Sequence, residues 1–245
     1  MENTKKEIIS RLQKDILQLQ GFTPSTTEKK ELIGLGPIEA AFPNAVFPKG
    51  VIHEFLSAAP EHTAASDGFL AGLLARLMHN GGACLWISKS RRLFPPSLSN
   101  FGVEPDRIIF IDLMRERDVL WVMEEALKCK GLAAVVCELN DISFTASRRL
   151  QLAVEQSRVT GFIRRVDSGR LNPTACMARW RITPLPSETE DDMPGVGFPR
   201  WKVELLKVRN GNPGIWTMEW SADRFMLILE KEEAASVRKQ LLQVG

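Results

Sequence analysis

Four places in this 245-residue chain hold residue types that could carry chemistry. The first is segment 57–68, which follows an apolar run ending in Glu54-Phe-Leu56. Anchoring a phosphate there would take glycines that turn backbone amides toward the anion, a lysine on the outer phosphates and a hydroxyl on magnesium. The segment has one glycine, Gly68 at its end, and no lysine or arginine. It places Glu61 and Asp67 where a polyphosphate would lie, and like charges repel. The second place is Glu138, which closes another apolar run and is followed by Asp141. A carboxylate there could hold magnesium, as a vestige of a nucleotide site, or could be a strand end meeting solvent. The run 83–87 leads into Ser88-Lys-Ser-Arg-Arg92, with no acid to orient an attacking water.

The third group is the four cysteines and three histidines. Cys84, Cys129, Cys137 and Cys176 have neither metal-ligand nor redox spacing, and three of them sit among apolar neighbours. His53, His62 and His79 form no HExxH or His/Asp/Glu cluster. There is no GxSxG and no carboxylate dyad that spacing supports. The expectation is therefore no catalytic residue, no cofactor and no metal.

The fourth is a block of arginine. Net charge is only +2, but the stretch 148–181 carries eight arginines against two acids, Glu155 and Asp167. Arginine suits bidentate phosphate contact. An acidic stretch follows within a Pro/Gly-rich loop, Glu188, Glu190, Asp191 and Asp192, and is expected to be a solvated insertion.

Alternating strand and helix patterns must position these groups. Strands are expected at 51–56, 83–87, 107–111, 132–137 and 159–164, and helices at 67–79 (capped by Ser66), 116–130 and 143–157. That alternation means βαβ units and an α/β fold, a mostly parallel sheet covered by helices on both faces. The end of the chain departs from it, with a hairpin of 201–208 and 215–220 about a turn-rich loop, a strand at 225–229 and a short helix beyond. Ahead of the core, Ile9, Leu12, Ile16 and Leu19 share one helical face, and 21–30 reads as a flexible tether. Three parts result: a helical arm and linker at 1–31, a core at 32–230 and a helical tail at 231–245. The longest unbroken apolar run, 132–137, is too short for a bilayer, and the charged start has no signal core, so a soluble cytoplasmic protein is expected.

Gly34-Leu-Gly-Pro-Ile-Glu-Ala-Ala-Phe42 and Phe47-Pro-Lys-Gly-Val-Ile-His-Glu-Phe55 resemble the lead-in to the core of RecA-fold proteins. The runs at 81–87, 101–110 and 132–138 keep that family's order. Arg115-Glu-Arg-Asp-Val-Leu-Trp121, Arg148-Arg-Leu-Gln-Leu-Ala153 and 203–211 resemble more specifically the ImuA family. These are RecA-like accessory proteins of SOS-induced, mutagenic translesion DNA synthesis. The resemblance implies a RecA-like core without ATPase machinery, acting as an adaptor for two partners. One is an ImuB-like Y-family polymerase homologue; the other is an error-prone DnaE-type polymerase. It also suggests that Ile9, Leu12, Ile16 and Leu19 serve self-association or grip a partner. Arg148, Arg149, Arg164, Arg165 and Arg170 become candidates for contact with DNA or an acidic partner. The alternatives are a SulA-like division inhibitor that binds FtsZ, and a weak RecA-like ATPase.

Overall fold

The computed structural model describes residues 32–90, 92–166, 169, 172–188 and 196–229. The chain divides between Glu31 and Leu32 into two units, and all described residues belong to the second. The expected arm, with Ile9, Leu12, Ile16 and Leu19, lies outside the described residues, as do Arg170 and the tail 231–245.

Among the described residues nine strands form one sheet: β1 (Ile52–Ser57), β2 (Ala83–Ser88), β3 (Ile108–Asp112), β4 (Leu132–Leu139), β5 (Thr160–Val166), β6 (Ala178–Leu185), β7 (Arg200–Val208), β8 (Gly214–Ser221) and β9 (Arg224–Leu227). Their order is β3-β2-β4-β5-β1-β6-β7-β8-β9. From β3 through β6 every pairing is parallel; from β6 through β9 every pairing is antiparallel. This is the expected α/β architecture, consistent with a RecA-like core.

Among the described residues three α-helices accompany the sheet: α1 (Pro60–Leu77), α2 (Glu116–Ala126) and α3 (Phe144–Ser157). The Ser143 hydroxyl accepts from the Ala146 amide to cap α3, and Arg158 at φ 65° ends it. The expected run of α2 to residue 130 stops at Ala126, where the Lys128 and Cys129 amides bond three residues back and tighten the last turn. On one sheet face α2 and α3 cover the parallel strands, with Val119, Met123, Leu150 and Val154 buried against Ile52, Ile87, Val135 and Ile163. On the other, α1 sets Phe69 against Trp180, ring centres 6.1 Å apart, and Trp180 stacks on Phe55 at 5.9 Å.

Within that aromatic layer His53 is fully buried, stacked on Phe47 at 4.5 Å. Its Nε2–H donates to the Pro48 carbonyl (2.9 Å), and Nδ1 accepts from the Trp180 indole (3.3 Å). Those two bonds fix one neutral tautomer. Burial lowers its pKa to about 4, against a smaller raising effect of the Pro48 bond.

Two expectations are corrected. Segment 57–68 is mostly helix, not loop: α1 starts at Pro60, and Ser66 lies buried inside it rather than at its cap. Pro60 at the first helical position, Glu61 in the first turn and the alanines of Ala64-Ala65 account for the early start. The second concerns β6, which had been passed over as part of the arginine block. Ala178-Arg-Trp-Arg-Ile182 alternates buried and half-buried residues, the period of a one-sided strand.

Candidate functional site

In an open parallel sheet a site belongs at the carboxyl ends of the strands. There the turn from β1 to α1 is only Ala58-Ala59. Such a turn is too short to wrap a phosphate chain, Pro60 removes one helix-start amide, and Glu61 puts negative charge where an anion would bind. The Ser57 and Ser66 hydroxyls meet each other at 3.3 Å.

Beside that turn three charged groups converge. Asp67 projects from α1 to Arg164 of β5, with Oδ1 2.8 Å from Nε. Both atoms are buried without a hydrogen bond, so the contact is a charge pair whose N–H points elsewhere. Glu138 of β4 is in register with Arg164, and the guanidinium lies over the Trp86 ring at 5.6 Å. Burial raises the Asp67 pKa to about 7; Arg164 opposes the shift and Glu138 adds to it. Desolvation outweighs the arginine, and Asp67 is close to half protonated near neutrality. A cavity of about 300 Å³ opens alongside, lined by Asp67, Gly68, Arg92, Phe94, Ser97 and Phe101 among others.

What this arrangement offers is an arginine held by a carboxylate from α1 and flanked by one from β4. Arg164 is engaged by Asp67, and its positive charge beside Glu138 opposes a magnesium ion there. Among the described residues no group of three or more His, Cys, Asp or Glu could hold a metal ion. The residues do not fit a magnesium–nucleotide complex.

The candidate arginines divide between two settings. Arg164 and Arg165 are buried and ion-paired. Arg165 bonds Glu54 Oε1 (2.7 Å) and Asp141 (2.5 Å), on the opposite sheet face from Arg164. Glu54 is fully buried and also accepts from Arg179 Nε (2.7 Å) and the Thr174 hydroxyl (3.1 Å). Asn172 bonds Asp141 at 2.9 Å, so this network ties the 172–174 stretch to β1 and β5. Arg148 and Arg149 are exposed on α3, the first 3.9 Å from Glu155 and the second paired with Glu124. The structure thus brings Glu138 and Arg164 together but does not gather the arginines on one surface. Two of the five candidates, Arg164 and Arg165, are tied up in internal ion pairs.

Sequence reasoning missed Glu54 as the hub of that network. Its signal is the one acid within β1, flanked by Ile52, Phe55 and Leu56, which must be paired to be buried. Asp67, expected at the start of a helix, carries in the sequence only the sign of its charge toward phosphate, because its partner Arg164 on a distant strand leaves no local pattern.

No family model matches the chain. It is 37% identical over 194 residues to Protein ImuA of Caulobacter vibrioides, covering 74% of this chain and 80% of that protein. The same protein from a second strain of that species matches equally. The chain belongs to the ImuA family. In this ImuA-family chain the β1–α1 turn is two residues long and Arg164 at the strand ends is paired with Asp67.

Proposed function

We propose that this chain is a non-catalytic adaptor in damage-induced, error-prone translesion DNA synthesis. It links an ImuB-like Y-family polymerase homologue to an error-prone DnaE-type polymerase in the cytoplasm. The observation that carries this reading is the 37% identity to Protein ImuA over 74% of the chain, which supports a role in the ImuA/ImuB mutagenesis system. The strand-end geometry supports the non-catalytic part: no lysine or arginine stands in the β1–α1 turn, and Arg164 is engaged by Asp67. Among the described residues no helix is long and apolar enough to cross a membrane.

The test is affinity capture from DNA-damaged source cells with the intact chain as bait. Recovery of a Y-family homologue together with a DnaE-type subunit is the expected result. Loss of both in a Leu12→Asp/Ile16→Asp variant would assign the contact to the N-terminal arm. Capture of FtsZ with no polymerase would replace this reading with the division-inhibitor one.

A further inference from the structure

Helix α2 turns Val119, Met123 and Ala126 toward the sheet and leaves Trp121 on its outer side, 62% exposed. That ring forgoes the burial that Trp86, Trp180 and Trp201 gain in the core. One turn before Trp121 on the same stripe stands Arg117, and one turn after it stands Glu125. Arg117 is 80% exposed and lies 3.5 Å from Asp118, its neighbour in sequence. Glu125 is half exposed and accepts from Lys128 at 2.6 Å. Both pairs stand in solvent, where such contacts contribute little and add partners readily. The outer stripe of α2 therefore runs cation, aromatic ring, anion at successive turns.

Read backwards, that order is its own complement. A second copy of α2 laid antiparallel about a two-fold axis at Trp121 sets ring on ring. It also sets each Arg117 against Glu125 of the other copy. A carboxylate accepts several donors, so Lys128 can stay on Glu125 while Arg117 of the second copy joins it. The same operation brings Asp118 toward Glu124 of the other copy, the one like-signed meeting near the axis. Glu124 is only 17% exposed, because it is turned aside to α3 and bonded to Arg149. Beside α2 the flanks also match. Helix α3 packs on the β1 side, while β3 ends the sheet on the other side. The axis thus carries α3 of each copy, with Leu152 exposed, over the β3 edge of the other, where Ile109 is exposed. Ile109 shares the helix-bearing face with Ile111, two residues on, which packs against the core beneath α2.

We propose that the outer face of α2 joins two copies of this chain in an antiparallel two-fold dimer centred on Trp121. Charge complementarity names the occupant: a partner helix must present anion, ring and cation in the reverse order, and α2 itself does so. A central aromatic ring flanked by opposite charges is the arrangement that concentrates binding energy at an interface, with Trp and Arg the residue types that carry most of it. Every residue the contact uses belongs to the core unit, not to the arm at 1–31.

The experiment is sedimentation equilibrium of the intact chain at concentrations on the order of 1 to 100 μM, where the parent is expected to pass from monomer to dimer. Trp121→Ala should weaken the dimer roughly tenfold or more. Arg117→Glu and Glu125→Arg each set like charges against one another across the axis, and each alone should weaken it by a similar factor. An equimolar mixture of these two variants pairs opposite charges at both contacts, so it should recover a dimer containing one copy of each. Loss of folding could not be rescued by mixing, and thermal melts matching the parent confirm that each variant keeps its fold. The proposal is overturned if the parent stays monomeric, if the single variants associate as tightly as the parent, or if their mixture stays monomeric. It is also overturned if Leu12→Asp/Ile16→Asp in the arm abolishes association. A monomeric parent whose capture of a polymerase depends on Trp121 would assign the face to that partner instead of a second copy. Because no polymerase is present in the sedimentation, failure there would leave the adaptor reading standing.

Discussion

His53 is fully buried and Asp67 partly so, and both have pKa values moved toward the neutral form, in opposite directions. Asp67 rises from 3.8 to about 7, so the folded chain holds its proton between those values while the unfolded chain releases it. That contribution is full below pH 3.8 and is lost as pH rises toward 7. His53 falls from 6.5 to about 4, so between those values only the unfolded chain takes up the proton. Its contribution is full above pH 6.5 and is lost as pH falls toward 4. Each shift corresponds to roughly 3 to 4 kcal/mol at 1.36 kcal/mol per pKa unit. Over pH 4 to 6.5 the two slopes oppose one another. Asp67→Asn removes one of them while keeping a neutral group of the same shape beside Arg164. Urea-unfolding free energy of this variant should drop by about 3 kcal/mol between pH 6.5 and 4 relative to the parent. Parallel pH profiles for the two proteins would show that Asp67 is ionised like an ordinary carboxylate.

Helix α1 meets the antiparallel end of the sheet at Gly72, inside its buried stripe. A Cβ built there would lie 2.6 Å from Phe225 Cζ and 2.8 Å from Trp220 Cζ3. Both rings are held by their neighbours: Trp220 and Phe225 pack edge to face at 4.9 Å, and the Trp220 indole donates to the Asn100 carbonyl at 3.0 Å. Alanine would gain up to about 1 kcal/mol of helix propensity. Overpacking a rigid core costs about 1 to 3 kcal/mol, and rings braced on both sides yield least. The clash should win. Gly72→Ala is expected to lower the unfolding free energy by about 1 to 2 kcal/mol in a urea titration, and a stabilised variant would mean that β8 and β9 shift freely against α1. The same contact shows what could be read from the sequence and what could not. The period of α1 and its apolar face are visible in Phe69-Leu-Ala-Gly-Leu-Leu74. Its start was misplaced because 57–68 was weighed as a phosphate loop, and the weak propensity signals of Pro60 and the alanines were set aside. The bounds of β1 through β5 were nearly all within a residue or two, because apolar runs flanked by helices declare a parallel sheet. β6 is hidden in the sequence because Arg179 and Arg181 add to a charge block while alternating with Ala178, Trp180 and Ile182 in the period of a strand. Long-range pairs such as Glu54 with Arg165 and Arg179, more than a hundred residues apart, leave no local pattern at all.

The sheet as assembled brings charged groups from three elements to its strand-end crevice. In the crevice, Arg164 lies between Asp67 and Glu138, and the apolar walls of the adjoining cavity include Phe94 and Phe101. A nucleotide entering there would have to displace Arg164 from Asp67 and bring phosphate toward Glu61 and Glu138. Neither step is compensated by a lysine or by a ring of free amides. Thermodynamic linkage turns this into a measurement. A ligand that binds only the folded chain and is present at a hundred times its Kd stabilises by about 2.7 kcal/mol, a shift of roughly 5 to 11 °C in Tm for a domain of this size. Millimolar ATP with magnesium is therefore expected to leave the Tm of the intact chain unchanged, and Glu138→Gln should behave the same with and without nucleotide. A shift of several degrees that disappears in Glu138→Gln would mean that the carboxylate on β4 still holds the metal. The weak-ATPase reading would then replace the non-catalytic one, with Arg164 as the group that must swing away from Asp67 to admit the phosphates.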